Sequence, residues 1–549
     1  MRFTFTNGAF AALVVGLGVT SSHAGEMPQV SAATGESAAA PAAATATLPP
    51  PSARVGRISL VLGKVEFRGP GDARWSAASV NDPVATGVAL RTDPQSRAEI
   101  RVGADTIDLA EGTEIAVARL DQPMAEIAVK QGRIDLDIRR LIPGESIQLD
   151  VSRGGVWLLE QGRYDVDAGG GNHPTRITAF TGDARFVGSG SDLPIASGYQ
   201  VQLSGERPMK AEIAAAIGDD DFASWCKARS VDDLTLAAPY FVSREMTGYA
   251  ALDAAGDWRS TDKYGEVWVP KALPADWAPY RDGHWRWLAP WGWSWVDDQP
   301  WGFATSHFGR WLFADGHWVW VPGGLTADPV WAPAVVDFLG TPGVGLSYAD
   351  GPGPAIAWFP LAPDEVYWPS YTRDIDYIRS INRGSVADLG AIYFGANGEP
   401  PAKVTNGQFA NRGFASVVPR AVFVGGEAIE TALLTIPDRR LRNAPAIMGS
   451  PKIGAPPPVP VRVAAASSRT PQSAPQVTTA RSTKTAAWDS IVRAAAIRSR
   501  NFQEAARARF THLRVFGAAE LTHLRHSIVL RVARADHAAS EARRRIIRR

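Results

Sequence analysis

Cysteine is nearly absent. The 549 residues hold one, Cys226, which excludes an internal disulfide framework and any cysteine-rich zinc site. An excess of charge is missing too: 57 Lys plus Arg stand against 56 Asp plus Glu, a net +1. A chain so balanced does not coat nucleic acid along its length, and no nucleic-acid partner is expected. Long apolar runs are lacking beyond the N-terminus. There Arg2 precedes an apolar run from Gly8 to Val19, which leads into Ser22-His23-Ala24. That run is shorter than the roughly 20 residues that span a bilayer. It reads as a secretory signal peptide cut after Ala24, so a periplasmic or secreted protein without a transmembrane span is expected. Catalytic signatures are missing as well. There is no Gly-x-Ser-x-Gly elbow, no Gly-x-x-x-x-Gly-Lys phosphate loop and no His-Glu-x-x-His, so no catalytic residue, metal or cofactor is assigned.

Tryptophan, by contrast, is abundant. The chain has 19, and most lie between Trp258 and Trp368. The expected class is mainly all-β, with disordered linkers and a basic helical tail. Residues 25–53 are an Ala/Pro linker with nothing to bury. Over 54–205 apolar residues alternate, as in Ile58, Leu60, Leu62, then Ala98, Ile100, Val102, then Ile134, Leu136, Ile138. A period of two puts each set on one sheet face. Turn signals such as Gly103-Ala104-Asp105 and Gln131-Gly132 recur every 8–12 residues or so, which predicts a sandwich, barrel or β-helical stack. Residues 206–239 read as a helical connector, with Asp219-Asp220-Asp221 capping a helix near Phe222. Cys226 lies in it, either buried or available for an intermolecular bond.

Residues 240–425 contain an internal repeat. One copy runs from Gly256-Asp257-Trp258 through Trp268-Val269-Pro270 to Trp277-Ala278-Pro279. The other runs from Gly309-Arg310-Trp311 through Trp320-Val321-Pro322 to Trp331-Ala332-Pro333, with an echo at Asp282-Gly283-His284-Trp285-Arg286-Trp287. Asp-Gly predicts a tight turn, Trp-x-Trp places two indoles on one face, and Pro ends the strand. Two uses of the indoles follow: a core, or a stacking platform for sugar or proline-rich peptide built from Trp285, Trp287, Trp291, Trp293, Trp295, Trp318 and Trp320. His284 and His317 occupy equivalent repeat positions and read as turn chemistry, with His307 the third histidine of the block. Asp297 and Asp298 are adjacent and face opposite sides of a strand, which is wrong for paired acid/base work.

Two family resemblances sit on these residues. Gly63-Lys64-Val65, Trp75, Gly87-Val88-Ala89-Leu90-Arg91-Thr92, Leu109-Ala110-Glu111-Gly112-Thr113 and Gly162-Arg163-Tyr164-Asp165-Val166 resemble the extracytoplasmic FecR-like domain. That resemblance implies a β fold outside the cytoplasm and, in its namesake setting, sensing relayed to a sigma-factor regulator. Tyr280-Arg281-Asp282-Gly283-His284-Trp285, Trp291-Gly292-Trp293-Ser294-Trp295 and Pro300-Trp301-Gly302-Phe303-Ala304 resemble the Trp-rich domain of unknown function that follows FecR-like domains in secreted proteobacterial proteins. That family brings no established activity.

Residues 426–487 read as a second linker, rich in Pro, Ala, Ser and Thr. The segment 488–549 is a basic tail of helical composition that ends in Arg543, Arg544, Arg545, Arg548 and Arg549. Such a tail is expected to meet an anionic surface. Three function classes remain: an exported non-enzymatic binding or scaffold protein of the cell envelope whose Trp-rich module contacts glycan or an envelope protein; a FecR-like sensor acting through a protein partner; or an unrecognised envelope hydrolase.

Overall fold

Alternation along the first segment becomes two nine-stranded sheets. The computed structural model describes residues 50–456, apart from 189, 206–207, 231–234, 275, 347–353 and 402–408. The expected signal peptide, nearly all of the first expected linker and the basic tail lie outside the described residues. From edge to edge the first sheet runs Lys210–Ala215, Tyr199–Ser204, Thr175–Ala179, Gly162–Asp167, Arg133–Ile138, Asp105–Leu109, Arg97–Val102, Gly56–Leu62 and Pro83–Val84. The second runs Ser191–Ile195, Ala184–Gly188, Gly154–Leu158, Ser146–Val151, Met124–Gln131, Glu114–Leu120, Ala89–Thr92, Val65–Arg68 and Ser76–Ala77. Neighbouring strands are antiparallel except Ser146–Val151, which runs parallel to Met124–Gln131. Ile100, Ile107 and Leu136 of the first sheet face Ile115, Val117 and Ile127 of the second across a shared apolar interior. Of the three architectures expected, two sheets face to face is the one found. Gly132 makes its turn at φ +82, against Thr113, where a Cβ has no room.

Two boundaries differ from the sequence reading. The connector opens with a strand, Lys210–Ala215, before its helix, Asp221–Arg229. Hydrogen bonding to Tyr199–Ser204 along six residue pairs overrides the weak helical spacing of Ile213 and Ile217. The helix itself is as expected: the Asp220 carboxylate caps it by accepting from the Ala223 N–H at 3.0 Å. At the other end, residues 426–456 are not linker. Ala446–Ile447 pairs with Val336–Leu339, and Asp438–Asn443 is helical. Ile429, Leu441 and Ile453 are buried there, which a Pro-rich composition does not reveal.

The second body holds a four-stranded sheet in the order Gly256–Thr261, Gly265–Pro270, His317–Val321, Arg310–Ala314. Beside it lie a hairpin, Gly283–Leu288 with Gly292–Asp297, and a sheet built on Val336–Leu339 and Ala355–Pro360. No helix among the described residues is long and apolar enough to cross a membrane.

Candidate functional site

The repeat folds as two equivalent hairpins that meet at their tryptophans. Trp268 and Trp320 lie directly opposite each other across the central strand pair. Within each hairpin they face Trp258 and Trp311. Both are fully buried and both donate their indole N–H to a backbone carbonyl, Trp268 to Leu252 at 3.1 Å and Trp320 to Phe308 at 3.0 Å. The glycine that opens each copy has a mechanical cause. A Cβ on Gly256 would collide with the Trp268 ring, and one on Gly309 with Trp320. In the echo hairpin Gly283 makes the same room for Trp295. The Asp-Gly expectation holds at Asp315-Gly316, where φ is +52 and +77 and two residues close the hairpin. It fails at Asp282-Gly283: Gly283 pairs with Asp297 at the far end of its hairpin, whose loop is instead Ala289–Trp291.

These geometries decide the use of the indoles. Trp285, Trp291, Trp293, Trp295, Trp318 and Trp320 are all buried, and only Trp287 is half-buried. Trp285 is ringed by Trp295, Phe338, Trp358 and Phe423 at centroid distances of 5.1–5.5 Å. Trp293 spends its N–H on the Ile453 carbonyl at 3.1 Å, and Trp287 meets it edge to face at 5.5 Å. Six of the seven lie in the core, with Trp287 half-buried against it, so they form a core and not a platform. The reason is economy of area. An indole buries roughly 150–250 Å², so at about 25 cal/mol per Å² each contributes at most roughly 4–6 kcal/mol. Short strands cannot supply that with aliphatic residues.

The three histidines of the Trp block form no metal-holding group among the described residues. His307 is buried against Trp331, with Nδ1 at 2.7 Å from the Ala332 carbonyl, and burial pushes it down to about 3. His284 is pushed down to about 4 by burial and then by Arg286. His317 is exposed at the Asp315 turn. Arg310 is no surface cation either: it is buried, with Nη2 donating to Asn382 Oδ1 at 2.7 Å.

A junction that sequence reasoning missed joins the two bodies. Asn81, buried, donates to the carbonyls of Asp297 and Gln299 at 2.8 and 2.7 Å. Arg57 donates to Asn81 Oδ1 at 2.7 Å and to the Pro300 carbonyl at 2.6 Å. Arg286 reaches back from the Trp block, pairs with buried Asp82 at 2.7 Å and lies over the Phe67 ring. The Asp297 side chain completes the joint by accepting from Trp295 Nε1 at 2.9 Å and the Gln299 N–H at 3.0 Å. Burial pushes Asp297 up to about 7. Buried residues of the sandwich and of the Trp block belong to one continuous apolar core. Nothing in the local sequence signals this joint, because its partners lie more than 200 positions apart.

A second polar assembly lies on the outer face of the first sheet. Glu99, Asp108, Asp135 and Asp165 are successive cross-strand neighbours, all buried. Arginines pair with three of them: Arg101 and Arg229 with Glu99, Arg163 with Asp135, Arg133 with Asp165. Arg163 and Arg133 also hold Asp219 and Asp220 at the head of helix Asp221–Arg229 and so fasten the helix over the ladder. The helix buries Cys226 against Asp108 and Asp135. Among the described residues Asp108 is the one of the four with no ion pair, and its Oδ1 makes no hydrogen bond.

Comparison with known proteins adds little chemistry. No curated protein matches the chain. Two crystal structures of a candidate anti-sigma factor from Parabacteroides distasonis are similar to it at 12% and 11% identity, each with a TM-score of 0.21. Each match covers 23% of this chain, and the chain spans 59% of the other. Residues 249–365, the heart of the Trp block, match a family of unknown function, DUF6600.

Proposed function

We propose that this is an exported, non-enzymatic binding or scaffold protein of the cell envelope that engages a protein partner. One observation carries the reading. The edge strand Lys210–Ala215 is exposed along all six residues and, among the described residues, pairs on one side only, with Tyr199–Ser204. Ala211, Ile213 and Ala215 alternate onto the face that the neighbouring strand buries through Val201 and Leu203. Ile213 is 58% exposed, and Ile217 just beyond it 66%. An uncovered apolar stripe beside unpaired backbone suits an added strand from another protein. With six of the seven candidate indoles in the core, glycan stacking loses its platform and protein recognition is favoured. The basic tail ending in Arg548 and Arg549 would hold the protein near an anionic surface.

The test is affinity capture from envelope extracts with wild type and Ile213→Asp. A partner retained by wild type and lost from the folded variant supports the reading. The same partners on both, or glycan binding that survives in both, contradict it. A captured transporter or sigma-factor regulator would instead favour the sensor reading.

A further inference from the structure

The structure assigns Asp108, Asp135 and Cys226 as a binding site for one thiophilic divalent cation of the zinc class. One ligand atom from each lies within 4.8 Å of the other two. All three are buried between the first sheet and helix Asp221–Arg229. Two carboxylate oxygens with one thiolate are a donor set that suits zinc better than calcium or magnesium, which prefer oxygen alone.

Two features set the trio apart from an ordinary acidic cluster. Asp108 is 3% exposed and accepts from the Cys226 thiol, but it has no ion pair among the described residues and its Oδ1 is left without a hydrogen bond. Such a buried acceptor is costly unless a proton or a cation satisfies it. Asp135, by contrast, is oriented by Arg163, whose Nε and Nη2 donate to its two oxygens at 3.2 and 3.0 Å. That is the outer-shell support which ligating carboxylates commonly have. Each carboxylate oxygen keeps a second lone pair for the ion.

Binding balances in charge. Ligation needs the thiolate, so the Cys226 thiol gives up its proton as the cation enters, and the cation's charge is met by that thiolate and the two aspartates. Drawing the ligands in to about 2.0–2.3 Å of the ion asks each side chain to move by roughly an ångström.

Cobalt(II) is the probe, because its thiolate charge-transfer absorption in the near ultraviolet reports sulfur ligation directly. The full-length mature protein, cleared of metal with chelator, is titrated with cobalt, and protein purified from zinc-supplemented medium is assayed for metal content. The expected result is one metal per chain and a charge-transfer band, both lost in Cys226→Ser. Asp108→Asn should weaken cobalt binding roughly 100-fold or more while leaving the far-ultraviolet circular dichroism unchanged. Wild-type protein that holds no metal and shows no band overturns the site, as does a Cys226→Ser protein that keeps both. Unchanged affinity in Asp108→Asn removes Asp108 from it.

Discussion

Asp297 shows how one residue serves two bodies, one through its side chain and the other through its backbone. Its carboxylate orients the Trp295 indole and its carbonyl accepts from Asn81 across the junction. Gly302 presses so close that a Cβ there would collide with the carboxyl group. Burial disfavours the charged form, which sets the sign of a pH effect. With a folded-state value of about 7 against an ordinary value of 3.8, the native state holds a proton that the unfolded state has lost. Stability from this group is therefore full below about pH 4 and declines as pH rises through 7. Between pH 6 and 8 the loss should be about 1 kcal/mol. Urea midpoints of wild type and Asp297→Asn at the two pH values check this: the variant should lose less stability across the interval by about that amount. Equal slopes would show that Asp297 is ionised throughout. In the sequence Asp297 reads only as half of an adjacent acidic pair; its fully buried setting comes from contacts that no spacing encodes.

At the scale of the element, the hairpins were largely legible. The Gly-x-Trp openings, the Asp315-Gly316 turn and the terminal prolines Pro270 and Pro322 fall where composition places them. What spacing left open is whether Trp-x-Trp faces solvent or core. A period of two puts the indoles on one side, but only the partner layer decides what covers that side, and Phe338, Trp358 and Phe423 lie far along the chain. The edge strand Lys210–Ala215 was missed for the opposite reason: Ile213 shares helical spacing with Ile217 beyond the strand, and pairing with Tyr199–Ser204 overrides that preference. The fit of glycine under indole gives a sharp prediction. Gly256 has an extended backbone that any residue adopts, so alanine there costs packing alone. Thermal unfolding of Gly256→Ala should show a loss of about 1–3 kcal/mol. Wild-type stability would mean that the Trp268 ring has room to shift.

At the scale of the whole molecule, the sequence divides into two bodies and the structure welds them. The weld consists of Arg57, Asn81, Asp82 and Arg286, buried or nearly so, over a continuous apolar core. A shared core of this kind makes the Trp block part of the folding unit rather than an appended module. Removing one partner of a buried ion pair leaves the other charge unsatisfied, at a cost of about 3–5 kcal/mol. Arg286→Ala should therefore destabilise both bodies together. The most direct measurement is equilibrium unfolding in urea, followed at once by tryptophan fluorescence, dominated by the Trp block, and by far-ultraviolet circular dichroism, dominated by the two large sheets. Coincident single transitions are predicted for wild type, and both should shift to lower urea in Arg286→Ala. Two separate transitions in wild type, or a shift of the fluorescence transition alone in the variant, would contradict the welded core.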